Sequence, residues 1–345
     1  MSCHRMRFLP LLLAVVLLFS CSGPRGRYVV ISGAAQGGTY QVKLNVKGVN
    51  VPVETVRDSV DALLGQIDRS LSGYNKGSLL SRFNAGEVIR PDTLFVEMYR
   101  LAYGLWERSG GALDFAAGPL YDAWGFGFRE GSFPSAEAVS ALLGSCGMRL
   151  LPATLPLRDG LLDPADMGFP RLNFNAVAQG FSCDVLARYL YSLGVKDMLI
   201  DIGEIWCDGV GPAGKPWSVG LDRPVDREAG DTETSYTDVW SSGGRACGIT
   251  TSGNYRKYYV RDGRKYAHTI NPVTGYPVDH NLLSATVVSS VSAAESDALA
   301  TWCMVVGLEA ARELVLADPN LEAYLVYNAP DGSMREWSSP GFSLR

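Results

Sequence analysis

The sequence predicts an α+β fold, in one two-lobed domain with mixed, largely antiparallel sheets and packed helices. Segments with helical and with strand periodicity mix along the chain without regular alternation, which disfavours a doubly wound parallel sheet. An Asp262-Gly263 pair lies between two alternating segments, a strong signal for an antiparallel hairpin. No linker rich in proline or serine and no block of charge divides residues 31–345, so a single domain is the simplest organisation.

The N-terminus predicts an exported lipoprotein. A basic start precedes an apolar run from Phe8 to Phe19, which is too short for a membrane-spanning helix of roughly 20 residues. This pattern is typical of a secretory signal peptide, here residues 1–20. Because Leu18-Phe19-Ser20-Cys21 is similar to a bacterial lipobox, Cys21 is the predicted lipid anchor, which places the protein on the periplasmic side of a bacterial envelope membrane. The alternative is an ordinary signal peptide with an incidental cysteine. Residues 21–30 are predicted to be a tether.

Composition argues against a nucleic-acid partner. The 345 residues include 31 basic and 36 acidic ones, a formal net charge of −5. The predicted signal peptide removes two arginines and no acid, so the mature chain keeps 29 basic residues against 36 acidic ones, a charge of −7. A surface without cationic surplus does not favour nucleic acid. The hydrophobic content of 47% is ample for a large core.

Local periodicity and turn signals predict the individual elements. In the first half, alternation predicts a strand at Tyr40–Val46, and helical spacing predicts helices at Val53–Leu71 and Phe95–Ser109. Gly110-Gly111 is a typical end for the second helix. The elements predicted further along are, in chain order, a helix near 176–193, a buried strand Asp197–Ile202, hairpin strands Tyr255–Arg261 and Arg264–Ile270, a strand Leu283–Ser289, a helix that begins at Ser292, and a strand Leu321–Tyr327.

Cysteine and histidine usage limits the possible chemistry. The cysteines beyond Cys21 are scattered without a CxxC pair, so they are predicted to be small buried apolar residues and not a disulfide framework or a zinc site. His4 leaves with the signal peptide, so His268 and His280 remain. His268 stands at the end of a predicted strand and is a candidate general base, although a lone histidine on a strand is more often structural.

The clearest local feature is the start of the helix after Ser292. Ser292 and Glu295 have capping-box spacing. Asp297 and Thr301 follow at i and i+4, so their oxygens lie on one helical face. A carboxylate and a hydroxyl are hard-oxygen ligands suited to Mg²⁺ or Ca²⁺. The alternative is an acid that the helix dipole favours and a threonine that bonds back to a carbonyl. The spacing leaves both open.

Several clusters of small residues are candidates for binding phosphate through backbone amides, although such clusters more often simply form turns. None matches a P-loop or a dinucleotide fingerprint. These clusters are Gly37-Gly38-Thr39, Ser241–Gly244 and Thr250–Gly253.

Six sets of segments, in order, resemble the ApbE family, the FAD:protein FMN transferases, over most of residues 36–306. They are Gly38-Thr39-Tyr40; Leu71–Tyr74 with Ser78–Asn84; Gly111–Asp114 with Gly118-Pro119-Leu120 and Trp124–Gly127; Thr251–Tyr255; His268–Pro277; and Asp297–Thr301.

The resemblance implies a set of site residues. It implies that Mg²⁺ is held by Asp297, by Thr301 and by the backbone carbonyl of Ala176. It implies that His268 is catalytic or contacts the ligand, with Asp114 as the other candidate base. The flavin-site positions that it implies are Gly37, Tyr74, Ala112, Leu113, Asp114, Asn173, Gln179 and Ile270.

The resemblance also implies a reaction and its partners. The pyrophosphate of FAD is cleaved, FMN is esterified to a threonine or serine hydroxyl of an acceptor protein, and AMP leaves. The implied acceptors are flavin-carrying subunits of membrane redox complexes. Three other functions stay open at this point: an FAD pyrophosphatase, a non-enzymatic flavin- or solute-binding lipoprotein, and a structural envelope lipoprotein.

Overall fold

The computed structural model describes residues 26–126, 133–222, 236–253, 258–261, 264–267 and 269–345. Its α-helices are α1 (Val53–Leu71), α2 (Leu79–Asn84), α3 (Thr93–Arg108), α4 (Gly118–Ala123), α5 (Ala136–Ser145), α6 (Ala178–Ser192), α7 (Ala293–Val306) and α8 (Leu308–Ala317). Its strands are β1 (Tyr28–Ala35), β2 (Gly38–Asn45), β3 (Met198–Asp201), β4 (Ile205–Asp208), β5 (Ser218–Asp222), β6 (Tyr236–Ser241), β7 (Cys247–Gly253), β8 (Tyr258–Arg261), β9 (Arg264–Ala267), β10 (Ile270–Asn271), β11 (Tyr276–Pro277), β12 (Leu282–Ser289), β13 (Leu321–Asn328) and β14 (Met334–Ser338).

An eight-stranded sheet organises the fold. Its order is β1-β2-β3-β4-β7-β12-β13-β14, and every neighbouring pair is antiparallel. Both faces of its centre are covered. Consecutive residues of β12 point to opposite faces: Val287 packs in a cluster with α7 and α8, whereas Val288 packs with Trp240 and Phe342. The predicted α+β class with largely antiparallel sheets is confirmed.

Helix α7 lies at the centre of the molecule. Residues on all of its sides are buried, and it packs against α6, β7 and β12. Its first turn lies directly against two glycines. A Cβ atom at Gly180 would lie 2.3 Å from the Ala293 carbonyl oxygen, and one at Gly248 would lie 2.5 Å from the Ala293 Cα. Only glycine allows α6 and β7 to approach this helix so closely.

Most predicted elements are present, with two informative differences. The helix at Val53–Leu71 has the predicted bounds. The edge strand β1 was missed because half of its residues are exposed, only Ile31 is buried, and burial does not alternate along it. The hairpin strands pair as β8 and β9, although Asp262-Gly263 lies outside the described residues. Ile270 belongs to the short strand β10, opposite Pro277, so the second hairpin strand ends earlier than predicted.

The predicted signal peptide and the anchor at Cys21 lie outside the described residues. Within the described part of the chain, no helix has both the length and the apolar character needed to cross a membrane.

Candidate active site

The segment 171–182 connects the elements that carry the predicted site residues. Each of its contacts reaches a different part of the chain. The Asn173 N–H donates to the Phe115 carbonyl (2.7 Å), and the Asn175 side-chain amide donates to the Tyr74 hydroxyl (3.2 Å). Gln179 Nε2 donates to the Ile202 carbonyl (2.8 Å), and the Gly180 N–H donates to Asp297 Oδ2 (2.9 Å). Ser182 Oγ accepts from Gln36, and the backbone N–H and carbonyl of Leu172 pair with the side-chain oxygen and nitrogen of Asn84.

Asp297 is a buried carboxylate with little compensation for its charge. Its side chain is 6% exposed. It accepts the Gly180 N–H, which is one of the amides in the first turn of α6 that have no partner within the helix. Burial raises the pKa of Asp297 to about 8 against the lowering effect of that hydrogen bond, and the charge of Asp184 adds to the rise. A divalent cation would supply the missing positive charge.

Of the other predicted ligands, Thr301 belongs to the same helix, and Ala176 packs against a core cluster to which that helix contributes. Thr301 stands one turn after Asp297, with its Oγ1 3.4 Å from Ser252 Oγ. Ala176 packs against a core cluster that includes Ala294 and Ala298 of α7. In the described part of the chain, no group of three His, Cys, Asp or Glu side chains is arranged to hold a metal. The donors present are instead a carboxylate, a hydroxyl and a carbonyl, which fit Mg²⁺ bound jointly with substrate phosphates.

We expect the stability of the metal-free protein to fall as the pH rises from about 4 to about 8, because the unfolded pKa of an aspartate is about 3.9 and the folded pKa of Asp297 is about 8. Between these values the folded state holds a proton that the unfolded state has released. The stabilisation by this proton is complete below the unfolded pKa of about 3.9 and is fully lost once the pH has risen through the folded pKa of about 8. Chemical denaturation in a chelator at several pH values measures this slope. A slope that is the same in Asp297→Asn would contradict the assignment.

The N-terminus of α7 is capped by a residue of α6. Asp184 Oδ1 accepts the Ala293 N–H at 2.8 Å, and Oδ2 accepts the Ala294 N–H at 3.0 Å. Burial raises the pKa of Asp184 to about 6, against the lowering effect of these two bonds. This carboxylate therefore ties α6 to the helix that carries Asp297.

Ser292 and Glu295 form only half of the capping box that their spacing suggested. Ser292 Oγ accepts the Glu295 N–H at 3.0 Å, and the helix begins there as predicted. The Glu295 carboxylate does not return to the Ser292 backbone. It accepts from Arg108 and from Ser289 instead, because a charged guanidinium is a stronger donor than a backbone amide.

We expect Asp184→Ala to lower the free energy of unfolding by about 2–4 kcal/mol, because two backbone amides lose their acceptor in a buried place. Denaturant titration measures the loss. The matched control is Ser135→Ala at the N-cap of α5, which should cost only about 1 kcal/mol since its hydroxyl accepts one exposed amide. Equal losses in the two variants would mean that Asp184 is an ordinary cap.

Of four predicted flavin positions, Asn173 and Gln179 lie in the segment 171–182, whereas Tyr74 and Gly37 lie in parts of the chain that contact it through Tyr74 and through Gln36. Tyr74 is 70% exposed, and its hydroxyl accepts the Asn175 amide. Gly37 is in the turn between β1 and β2 with φ of 80°, and a Cβ there would meet open space. Asn173 is buried, and its side-chain oxygen accepts the Asn175 N–H at 3.0 Å. Gln179 holds the loop that precedes β4.

Asp114 is held by backbone amides. Its Oδ1 accepts from the Ala116 N–H and the Met148 N–H, both at 2.9 Å, and Ala112 and Leu113 before it are buried. Burial raises its pKa against these bonds. These contacts indicate that the carboxylate orders its own loop and the loop at Met148.

Of the histidines His268 and His280, only His280 lies in the described part of the chain. His280 is used structurally: its Nε2 donates to the Met304 carbonyl at 2.9 Å, and its Nδ1 accepts the Leu282 N–H at 3.3 Å. His268 lies outside the described residues. Ile270, two positions later, is buried in a cluster with Trp124, whose indole donates to the Gly275 carbonyl at 2.8 Å.

The structure identifies site residues that the sequence reading did not single out. Asn84, Asn175 and Asp184 position the segments that carry the predicted ligands. Asn84 ends a motif quoted above, so a signal for it was present. Nothing local marks Asp184, because its partners are more than 100 positions away.

The cluster Thr250–Gly253 does not form an amide nest. It lies in β7, where its backbone pairs with β12. Its side chains bond to neighbours instead, including Thr250 to Ser296 at 3.2 Å.

Comparisons with known proteins agree on one family. The model of the ApbE family matches residues 37–325. The FAD:protein FMN transferase of Klebsiella pneumoniae is 32% identical over 345 residues, covering 96% of this chain and 95% of the relative. Among solved structures, the flavin transferase ApbE from Vibrio cholerae is similar with a TM-score of 0.76 at 29% identity, covering 92% of this chain and 98% of that one. The apo form of Pseudomonas stutzeri flavinyl transferase ApbE also has a TM-score of 0.76, at 32% identity, covering 91% and 95%.

Proposed function

This chain belongs to the ApbE family and is an FAD:protein FMN transferase, and we propose that it uses Mg²⁺ to move the FMN part of FAD onto a threonine or serine hydroxyl of envelope proteins. The observation that supports the magnesium part of this proposal is the buried carboxylate of Asp297, one turn before Thr301, beside the segment 171–182.

Mg²⁺ bound to Asp297, Thr301 and the Ala176 carbonyl would neutralise charge on the pyrophosphate and orient its phosphorus. In the reaction, the acceptor hydroxyl oxygen forms a bond to the flavin-side phosphorus. The bond from that phosphorus to the bridging oxygen breaks, and AMP leaves with the electron pair. Tyr74, which is exposed, would hold the flavin ring by stacking, and Asn173 and Gln179 would fix the loops around it.

A base must take the proton from the acceptor hydroxyl, and we assign this role to His268. His280 is committed to the Met304 carbonyl, and the Asp114 carboxylate is committed to backbone amides. The resemblance of the segment His268–Pro277 to the family motif supports His268 for this role.

We expect His268→Ala to slow FMN transfer by about 10²–10⁴-fold near neutral pH, since general-base catalysis contributes that much, while FAD binding is retained. Single-turnover kinetics and FAD titration measure the two effects separately. Asp114→Asn serves as the comparison and should lower stability more than rate, because the carboxylate orders two loops. Full-rate transfer by His268→Ala would exclude the assignment.

We also propose that the protein is a lipoprotein anchored through Cys21 to a bacterial envelope membrane. Its acceptors would then be flavin-carrying subunits of membrane redox complexes that face the same compartment. The signal-like residues 1–20 and the lipobox-like segment support this placement. Mass spectrometry of the N-terminal peptide from the membrane fraction tests it, and an unmodified Cys21 would contradict it.

The proposed function is tested by incubating the protein with FAD and an acceptor, with Mg²⁺ or with a chelator. A magnesium-dependent mass gain of one FMN on the acceptor, with stoichiometric AMP, is the expected result. AMP without a modified acceptor would identify a pyrophosphatase instead. Intact bound FAD would identify a binding protein, and equal transfer in the chelator would contradict the magnesium requirement.

A further inference from the structure

Two cysteines that are 40 positions apart in sequence meet inside the sheet. Cys207 of β4 and Cys247 of β7 are directly opposite partners in an antiparallel pair. Their sulfur atoms are 3.9 Å apart, and both side chains are fully buried. Opposite residues in such a pair have Cβ atoms about 4.5–5.5 Å apart, and a disulfide requires about 3.5–4.5 Å. Side-chain rotation with a small shift of the strands would therefore bring the sulfurs into bonding distance.

We propose that Cys207 and Cys247 are a redox pair that forms a disulfide by exchange with a small disulfide such as oxidised glutathione. This site is separate from the proposed flavin chemistry, and neither cysteine belongs to the segment 171–182 or to α7.

The surroundings of the two thiols differ, which gives the exchange a direction. The hydrogen bond from Cys207 and the nearby Arg245 guanidinium lower the pKa of Cys247, against the effect of burial. The same hydrogen bond and burial raise the pKa of Cys207. Because both thiols are inaccessible in the folded protein, the exchange takes place as β4 and β7 pair during folding. Cys247, beside Arg245, is then the thiol that ionises first and attacks, and Cys207 is the thiol that resolves the intermediate.

The exchange balances in two steps. The Cys247 thiolate attacks one sulfur of oxidised glutathione, which gives a mixed disulfide and one glutathione thiolate. The Cys207 sulfur then attacks the Cys247 sulfur, the mixed disulfide bond breaks, and the second glutathione leaves as a thiolate that takes up the proton lost by Cys207. Two protein thiols are oxidised to one disulfide, and one molecule of oxidised glutathione is reduced to two thiols.

The other cysteines of the described chain are placed apart from this pair. Cys146, the residue that follows α5, donates to the Leu142 carbonyl of that helix at 3.0 Å. Cys183 donates to the Glu204 carbonyl at 3.2 Å. Cys303 is buried in a different cluster, with α7 and α8. The geometry therefore favours one disulfide among the many that five cysteines would allow.

The bond would join two strands that lead to the proposed active site. The loop before β4 holds Gln179 through the Ile202 carbonyl, and Ser252, the last residue but one of β7, lies beside Thr301. The crosslink would also close the chain between the two strands, which reduces the conformational freedom of the unfolded state. We expect oxidation to raise the Tm by about 5 °C.

The test uses the full chain, reduced and then refolded from denaturant in glutathione buffers of graded redox poise, so that burial does not block access. Free thiols are alkylated, and tryptic peptides are analysed by mass spectrometry. Trypsin cuts after Lys196 and after Arg245, so the two cysteines lie in separate peptides. The expected product is this peptide pair, joined and lighter by two hydrogen atoms, in the oxidising buffers only.

Three variants make the result specific. Cys207→Ser and Cys247→Ser should each lose the joined peptides and the oxidation-dependent rise in Tm, and Cys146→Ala should keep both. The proposal would be overturned if Cys207 and Cys247 were alkylated in all of the glutathione buffers, or if the joined peptides contained a different cysteine. A rise in Tm that survives in Cys207→Ser would do the same. None of these readouts depends on FMN transfer, so failure here leaves the proposed function unaffected.

Discussion

Asp297→Asn is expected to reduce magnesium-dependent FMN transfer by about 10³-fold or more, because metal stabilisation of transition-state charge is worth several kcal/mol and each 1.4 kcal/mol is about tenfold. The folded structure should survive the change. The asparagine oxygen can still accept the Gly180 N–H, and removing a buried charge relieves a desolvation penalty. This variant should therefore lose transfer activity while it keeps a stable fold.

The measurements are transfer kinetics and thermal unfolding, each with and without Mg²⁺. Near neutral pH and without Mg²⁺, the unfolding free energy of the variant should equal or exceed that of the native protein, whereas Mg²⁺ should stabilise only the native protein. A paired control is available at Thr301: Thr301→Ser keeps the hydroxyl and should retain most activity, and Thr301→Val should not. If Asp297→Asn keeps both the rate and the magnesium-dependent stabilisation, the metal site is elsewhere.

Gly180→Ala is expected to destabilise the fold by about 3 kcal/mol or more, because the added methyl would overlap the backbone of α7 and a packed helix contact has no room to adjust. The Cβ atom would lie 2.3 Å from the Ala293 carbonyl oxygen, 2.6 Å from its carbonyl carbon and 2.8 Å from the Ala294 Cα. Relief requires α6 to move away from α7, which would also lengthen the hydrogen bond from Gly180 to Asp297.

The matched control is Gly104→Ala in α3, where a Cβ atom meets nothing within 4 Å. The same substitution should there stabilise the protein by about 0.5–1 kcal/mol, since alanine is the better helix former. Denaturant titration gives both values, and magnesium titration of Gly180→Ala reports whether the site has moved. A Gly180→Ala variant as stable as Gly104→Ala would show that the two helices do not make this close contact.

The sequence by itself determined the features that depend on short-range patterns. The fold class followed from mixed helical and strand segments, and the start of α7 followed from Ser292, whose hydroxyl accepts an amide three residues later. The placement of Asp297 and Thr301 on one face followed from helical spacing. The family resemblance also came from ordered local motifs, and it named candidate residues without saying how they meet.

Only the tertiary structure decided the contacts between distant segments. The cap from Asp184 to Ala293 spans 109 positions, and the hydrogen bond from Gly180 to Asp297 spans 117. The pairing of Cys207 with Cys247 depends on β4 lying next to β7, with β5 and β6 placed outside the main sheet. Periodicity reports which side of an element is buried but not which element buries it. For that reason the charge environment of Asp297 could not be predicted from the sequence. It depends on the Gly180 N–H and the Asp184 carboxylate, which only the fold brings beside this residue.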